Sequence, residues 1–144
     1  MSLFSVLSIG ASGMQAQRTR AELLVENLAN AETTRTPGGG PYRRKDAVFE
    51  SSNVSSPFSS IFDAQIHGSG GVQVSEIVTD NSAPEMRYQP GHPDADKDGY
   101  VAFPKMNSAE DMVDLMGAAR GYQANVSAIS AVKDMIQRSI GLLT

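Results

Sequence analysis

Positions Leu3, Leu7, Gly10, Met14, Gln17, Ala21, Leu24, Leu28 and Ala31 succeed one another at alternating spacings of four and three. That alternation places them on one seam of an α-helix and predicts a first helical rod of roughly 45 Å at 1.5 Å per residue. Gly10, Gln17, Ala21 and Ala31 are small or polar, so the seam permits close backbone approach but buries too little apolar area for a strong isolated dimer. The chain ends on a second seam of the same kind, Leu115, Ala119, Tyr122, Val126, Ile129, Lys133, Ile136, Ile140 and Leu143, interrupted only at Lys133. Ser108, with Asp111 three residues on and Pro104 behind it, reads as a capping box and predicts a helix from about Ala109 to Leu143. Outside its seam this helix also carries Met116, Ala124, Ala128, Ala131, Val132 and Met135. Those are more apolar and small side chains than one partner helix would cover, which predicts lateral packing against other subunits.

Between the helices the period changes. Val48 and Phe49, then Val72, Val74 and Ile77, then Met86 and Tyr88, then Tyr100, Val101 and Phe103 sit in short stretches divided by turn residues, the pattern of a few short strands. Pro37 to Pro41 and Gly68 to Gly71 supply turn chemistry, and seven serines between Ser51 and Ser69 predict a mobile loop there. The fold class expected is mainly α with a small β insertion, the long N- and C-terminal helices pairing as a coiled coil. Its segments are an N-terminal axial helix over 1–33, a β-rich insertion with a serine-rich loop over 34–107, and a C-terminal axial helix over 108–144 packing on the first.

Composition narrows the chemistry. The 144 residues suffice for one ordinary domain, and a net charge of −4 with no block of like charges argues against nucleic acid and against a polybasic membrane patch. No cysteine is present, so disulfides, thiolate ligands and a Cys nucleophile are excluded together. Met1 to Gly13 has no basic residue ahead of its apolar positions and is broken by Ser and Gly, so it reads neither as a secretory signal nor as a membrane span.

The most pointed motif is Asp94-Ala95-Asp96-Lys97-Asp98-Gly99, whose alternating oxygens and sixth-position Gly match the first half of an EF-hand loop. Lys105 stands where the bidentate Glu belongs, and Pro90, Pro93 and Pro104 exclude the flanking helices. A solvated turn leading into the strand at Tyr100 is the plainer reading, with a calcium-responsive binding module as the alternative. His67 and His92 lie in separate loops without a second ligand at metal spacing. A hydrolase built on His92 would lack a paired nucleophile, base and orienting group. Gly38-Gly39-Gly40 before Arg43, Arg44 and Lys45 has no following Gly-Lys-Ser/Thr and reads as a turn into a basic strand. Asn53-Val54-Ser55 and Asn125-Val126-Ser127 match a glycosylation acceptor, but the second falls within a helix. No catalytic residue, cofactor site, metal site or small-molecule substrate is expected. Gln123 and Asn125, beside Tyr122, place polar groups in mid-helix where they could fix the register of a neighbouring helix.

Ser12-Gly13-Met14-Gln15-Ala16-Gln17, Val25-Glu26-Asn27-Leu28-Ala29-Asn30-Ala31 and Thr33-Thr34 resemble the N-terminal signature of the flagellar rod and hook axial protein family. Gly40 to Glu50, Tyr88 to Asp96, Gly99 to Val101 and Met112 to Val126 are similar to its proximal-rod type. The resemblance covers nearly the whole chain except about Ser51 to Gly70. In the broader family the signature commonly leads into a short Thr-x-Gly-Tyr turn, whereas Arg35 to Pro41 lengthens that connection here. The resemblance implies a structural subunit exported without cleavage by the flagellar type III apparatus. It also implies assembly in the periplasmic rod, near the inner-membrane ring, with other rod proteins and copies of itself. The residues expected to carry assembly are Leu3, Leu7, Met14, Leu24, Asn27, Leu28, Asn30, Leu115, Tyr122, Gln123, Asn125, Val126, Ile129, Ile136 and Ile140.

Overall fold

A computed structural model describes residues 3–53 and 70–141. Two helices, α1 (Leu3–Ala29) and α2 (Ser108–Gly141), enclose four strands in sequence: β1 (Lys45–Asn53), β2 (Gly70–Thr79), β3 (Glu85–Tyr88) and β4 (Tyr100–Phe103). The fold is therefore mainly helical with a small antiparallel β content. The strands fall where the short apolar stretches predicted them. Most of the serine-rich span, with His67, Ser55 and Leu143, lies outside the described residues.

The helices run antiparallel, because contacts climb one as they descend the other. A Cβ placed on Gly10 would stand 3.0 Å from Ile129, one on Gly13 3.1 Å from Asn125, and one on Gly121 3.2 Å from Gln17. Each of three side chains thus lies over a glycine of the opposite helix, which is how the small residues of the first seam let the backbones approach. Arg20 and Asp114 pair at 3.5 Å further along the same line.

The inward line of α2 differs from the predicted seam. Asp111, Ala118 and Val132 are buried and Leu115, Gly121, Asn125, Ile129 and Ile136 half-buried, whereas Ala119, Tyr122, Val126, Lys133 and Ile140 are exposed. At about 100° per residue the inward face is rotated by less than a quarter turn from the Leu115–Ile140 seam. The 4,3 count found the apolar stripe of α2, but α1 covers only one flank of it, because the close contacts form over glycines and not over the bulkiest residues. Val132, read from the sequence as lateral surplus, belongs to this inward line.

The α2 cap also differs. Asn107 Oδ1 accepts from Ala109 N at 3.1 Å, and Asp111 N donates to Asn107 O at 3.0 Å, so Asn107 is the N-cap and Ser108 the first helical residue. Asp111 sits one position too far along to close a capping box with it, and its carboxylate is turned elsewhere.

β1 and β2 form one antiparallel pair, with a bulge between Val48 and Phe49. They lie back along α1 from its last turns to Ser12, whose Oγ accepts from Val72 N at 3.1 Å while donating to Ile9 O at 2.8 Å. β3 and β4 form a second pair. Its connection contains the Asp-rich turn, and Gly99 closes it at φ +83° with Tyr88 so near that an added Cβ would meet its ring at 2.9 Å. Conformation and space both demand glycine there. Gly99→Ala is expected to lower the stability of the chain by about 1–2 kcal/mol. Thermal unfolding followed by circular dichroism checks this, and an unchanged melting temperature would refute the assignment of strain to that turn.

Candidate assembly surface and the junction that orients it

Asn27 is wholly buried near the C-terminal end of α1. Its Nδ2 donates to Lys45 O at 2.9 Å, and its Oδ1 accepts from Lys45 N at 3.0 Å. The side-chain amide thus exchanges both bonds with one residue, as a paired strand residue would, and satisfies the first peptide groups of β1 that no neighbouring strand reaches. Tyr42 Oη also donates to Asn27 Oδ1, at 3.0 Å, and Lys45 Nζ pairs with Glu26. Burial, followed by the charge and hydrogen-bonding capacity of Glu26, pushes the Tyr42 phenol up to about 12.

The connection before Tyr42 makes this possible. Thr36 N donates to Gly40 O at 2.9 Å and Tyr42 N to Thr33 O at 3.0 Å, so the long Arg35–Pro41 stretch is a closed loop that returns Tyr42 to the end of α1. Asn30 finishes the helix: its Nδ2 donates to Glu26 O at 2.9 Å and its Oδ1 accepts from Thr33 Oγ1 at 3.2 Å.

From the same short segment Arg44 turns the other way. It meets the buried Asp111 of α2 at 3.0 Å and Asp46 at 3.4 Å. Tyr42 to Asp46 therefore holds the end of α1 on one side and the start of α2 on the other. Burial raises the Asp111 carboxyl above its ordinary range; Arg44 opposes this, and Asp46, Asp114 and Glu110 reinforce it.

The Asp-rich turn is a structural element. Asp96 Oδ1 accepts from Asp98 N at 2.9 Å and from Tyr100 N at 2.8 Å, while Asp94 accepts from Thr34 Oγ1 at 2.8 Å. His92 accepts from Asp94 N at 3.1 Å and sets its ring edge-on to Phe103. Two of the carboxylates that suggested calcium are spent on different protein partners. Among the described residues no group of three His, Asp or Glu gathers to hold an ion.

The residues expected to carry assembly divide. Leu24 and Asn27 are buried; Leu7, Met14, Leu28, Asn30, Leu115, Asn125, Ile129 and Ile136 are half-buried; and the Leu3 side chain lies outside those described. Gln123 is exposed, and Tyr122, Val126 and Ile140 stand outward, Ile140 at 58%. Asn125 donates to Gly121 O at 3.0 Å within its own helix and lies over Gly13 of α1, so its place is within the subunit. Met112, Val113, Met116 and Met135 extend the exposed apolar surface of α2. Sequence reading missed Tyr42, Arg44 and Asp111 as a junction. The sign of one in the sequence was Asp111, standing one turn before Leu115 on the line that turns inward.

The C-terminal part, residues 97–142, matches the family model described as flagellar basal body rod FlgEFG protein C-terminal. The chain is 40% identical over 151 residues to the flagellar basal-body rod protein FlgC of Borreliella burgdorferi, with 99% of each chain covered. The chain belongs to the FlgC family of flagellar basal-body rod proteins. FlgC of Bacillus subtilis is 40% identical with 97% of each chain covered, and that of Salmonella typhimurium 34% identical with 99% of this chain and 98% of its own covered. No described helix is long and apolar enough to cross a membrane.

Asn27→Ala leaves the part-buried N–H and C=O of Lys45 without these partners and is expected to cost about 2–6 kcal/mol in chemical denaturation, at about 1–3 kcal/mol for each of the two groups. A loss below that of an ordinary surface substitution would refute the clamp. The phenol of Tyr42 keeps its proton longer in the folded chain than in the unfolded one. Its contribution is therefore complete below the ordinary phenol value of 10.0 and is lost as pH rises through about 12. Tyr42→Phe is expected to lack that alkaline fall when the two unfolding profiles are compared, and parallel profiles would refute it.

Proposed function

We propose that this chain is a structural subunit of the proximal part of the flagellar rod, without catalytic activity, assembling with other rod proteins and copies of itself into a hollow tube that transmits torque. The observation that carries this reading is its near full-length similarity to FlgC proteins. The apolar outer flank of α2 supports it. Tyr122, Val126, Met112 and Met116 are more than a third exposed although they continue a seam whose other flank is packed on α1.

In this reading the two terminal helices form the axial unit, pair in coiled-coil fashion within the subunit, and present the outer flank of α2 to neighbouring subunits. The insertion rides on α1, and Arg44 ties the lead into its first strand to the start of α2. Repeated heterologous contacts about one axis close into a tube. Export through the type III apparatus and placement near the inner-membrane ring follow from the family reading.

The test is a flagellated host lacking its own FlgC, complemented by this chain and by a Tyr122→Asp, Val126→Asp double variant. The unaltered chain is expected to restore rods in electron micrographs of basal bodies and swimming in soft agar. The variant is expected to be exported and to give the same circular dichroism as purified protein, yet to leave basal bodies without a rod, because two buried unpaired charges block the contact. Failure of the unaltered chain to restore rods would overturn the rod assignment, and swimming cells carrying the variant would overturn the choice of surface.

A further inference from the structure

Asp111 is only 1% exposed, yet its charge is poorly provided for. One carboxylate oxygen meets Arg44 at 3.0 Å, and Oδ2 has no hydrogen-bond partner among the described residues. The first-turn amides that stabilise a carboxylate at a helix start do not reach it, since Asn107 takes Ala109 N and the Asp111 N–H is spent on Asn107 O. Arg44 is moreover shared with Asp46 at 3.4 Å, and its own Nε is buried without a partner.

The charges that face this point come from every element around it. Arg44 and Asp46 stand on the lead into β1, Glu110 and Asp114 on α2, and Arg20 on α1, paired with Asp114 at 3.5 Å. Two guanidinium groups therefore meet four carboxylates. With Asp111 neutral, Arg44 balances Asp46 and Arg20 balances Asp114, leaving only the exposed Glu110. With Asp111 ionised, a buried negative charge is in excess.

We propose that Asp111 and Arg44 form a proton-sensitive latch between the start of α2 and the segment that clamps α1, tightened when Asp111 takes up a proton and loosened when it loses it. Burial and the three neighbouring carboxylates act in this direction, raising the Asp111 carboxyl. The sign follows. A carboxyl held above its unfolded value favours folding most at acid pH, and the benefit is lost as pH rises through the folded value. Loosening releases the start of α2 from the segment that leads into β1, while α1 continues to hold the helix along its length.

The test uses the full chain. A carboxyl-detected NMR titration is expected to place the Asp111 midpoint above the ordinary aspartate range. Urea unfolding is expected to show the wild-type midpoint rising relative to that of Asp111→Asn as pH is lowered from neutrality toward the ordinary aspartate value. Protection of the Ala109 and Asp111 amides, corrected for intrinsic exchange, is expected to rise over the same interval. Asp46→Asn, which leaves Arg44 to Asp111 alone, is expected to lower the Asp111 midpoint and reduce the slope. A midpoint within or below the ordinary range, or parallel unfolding profiles for wild type and Asp111→Asn, would overturn the latch. Should Asp111→Asn fail to fold, the wild-type titration decides the matter alone.

Discussion

The bonds that Asn27 exchanges with Lys45 are the constraint on which the arrangement rests. A strand that begins against a helix has peptide groups that no ladder can satisfy, and in a buried position each unpaired group would cost on the order of 1–3 kcal/mol. An amide side chain carries a donor and an acceptor side by side, so it can stand in for the missing strand. Tyr42 occupies the remaining capacity of the same oxygen. Lys45 turns its side chain to Glu26 of α1, and the adjacent Arg44 reaches α2. Five consecutive residues thereby decide how two helices and a hairpin meet.

The junction adds to a helix pair that is long but poor in bulky apolar contacts. Its close contacts are Ile129 over Gly10, Asn125 over Gly13 and Gln17 over Gly121, so two of the three inward side chains are amides. Such contacts fix register well and bury little apolar area. Only Ala118 and Val132 are buried apolar residues of α2, against a long series left exposed. A helix stabilised by so little tertiary packing has reserves of apolar surface that only another chain could cover. In the proposed rod this division has a use. The register is set within the subunit by glycines and amides, while the stronger apolar contacts are left for the neighbours.

How much of this the sequence disclosed depended on range. Both helices and all four strands were legible because period and turn residues act locally, and the family signature around Asn27 was legible as a motif. The phase of α2 was not. A 4,3 count finds the most apolar line of a helix, but the inward line is chosen by where a partner can approach, and Gly10 and Gly13 attract it toward Asn125 and Ile129. The cap was displaced by one residue because Asn107 and Ser108 are both good caps, and it is Asn107 that bonds Ala109 N. Asp94 to Gly99 shows the converse. Alternating aspartates are equally suited to calcium and to bonding their own backbone, and only the fold reveals that Asp96 has turned inward on Asp98 and Tyr100.

The buried acid at the start of α2 is then best understood together with the exposed flank beyond it. Apolar residues in place of both Asp111 and Arg44 would pack with less electrostatic cost, because exchanging a whole buried ion pair for apolar residues is often neutral or stabilising. What the pair adds is a directed contact at the start of α2, where Arg44 meets the Asp111 carboxylate at 3.0 Å. A chain whose second helix is apolar on several faces needs such a device more than most. The face that packs on α1 is selected by Ile129 over Gly10, Asn125 over Gly13 and Gln17 over Gly121, and on that face Asp111 comes to Arg44. The Asp111–Arg44 contact is thus added to a register that glycines and amides set, and the proton sensitivity proposed for it is a consequence of placing a carboxyl where water does not reach.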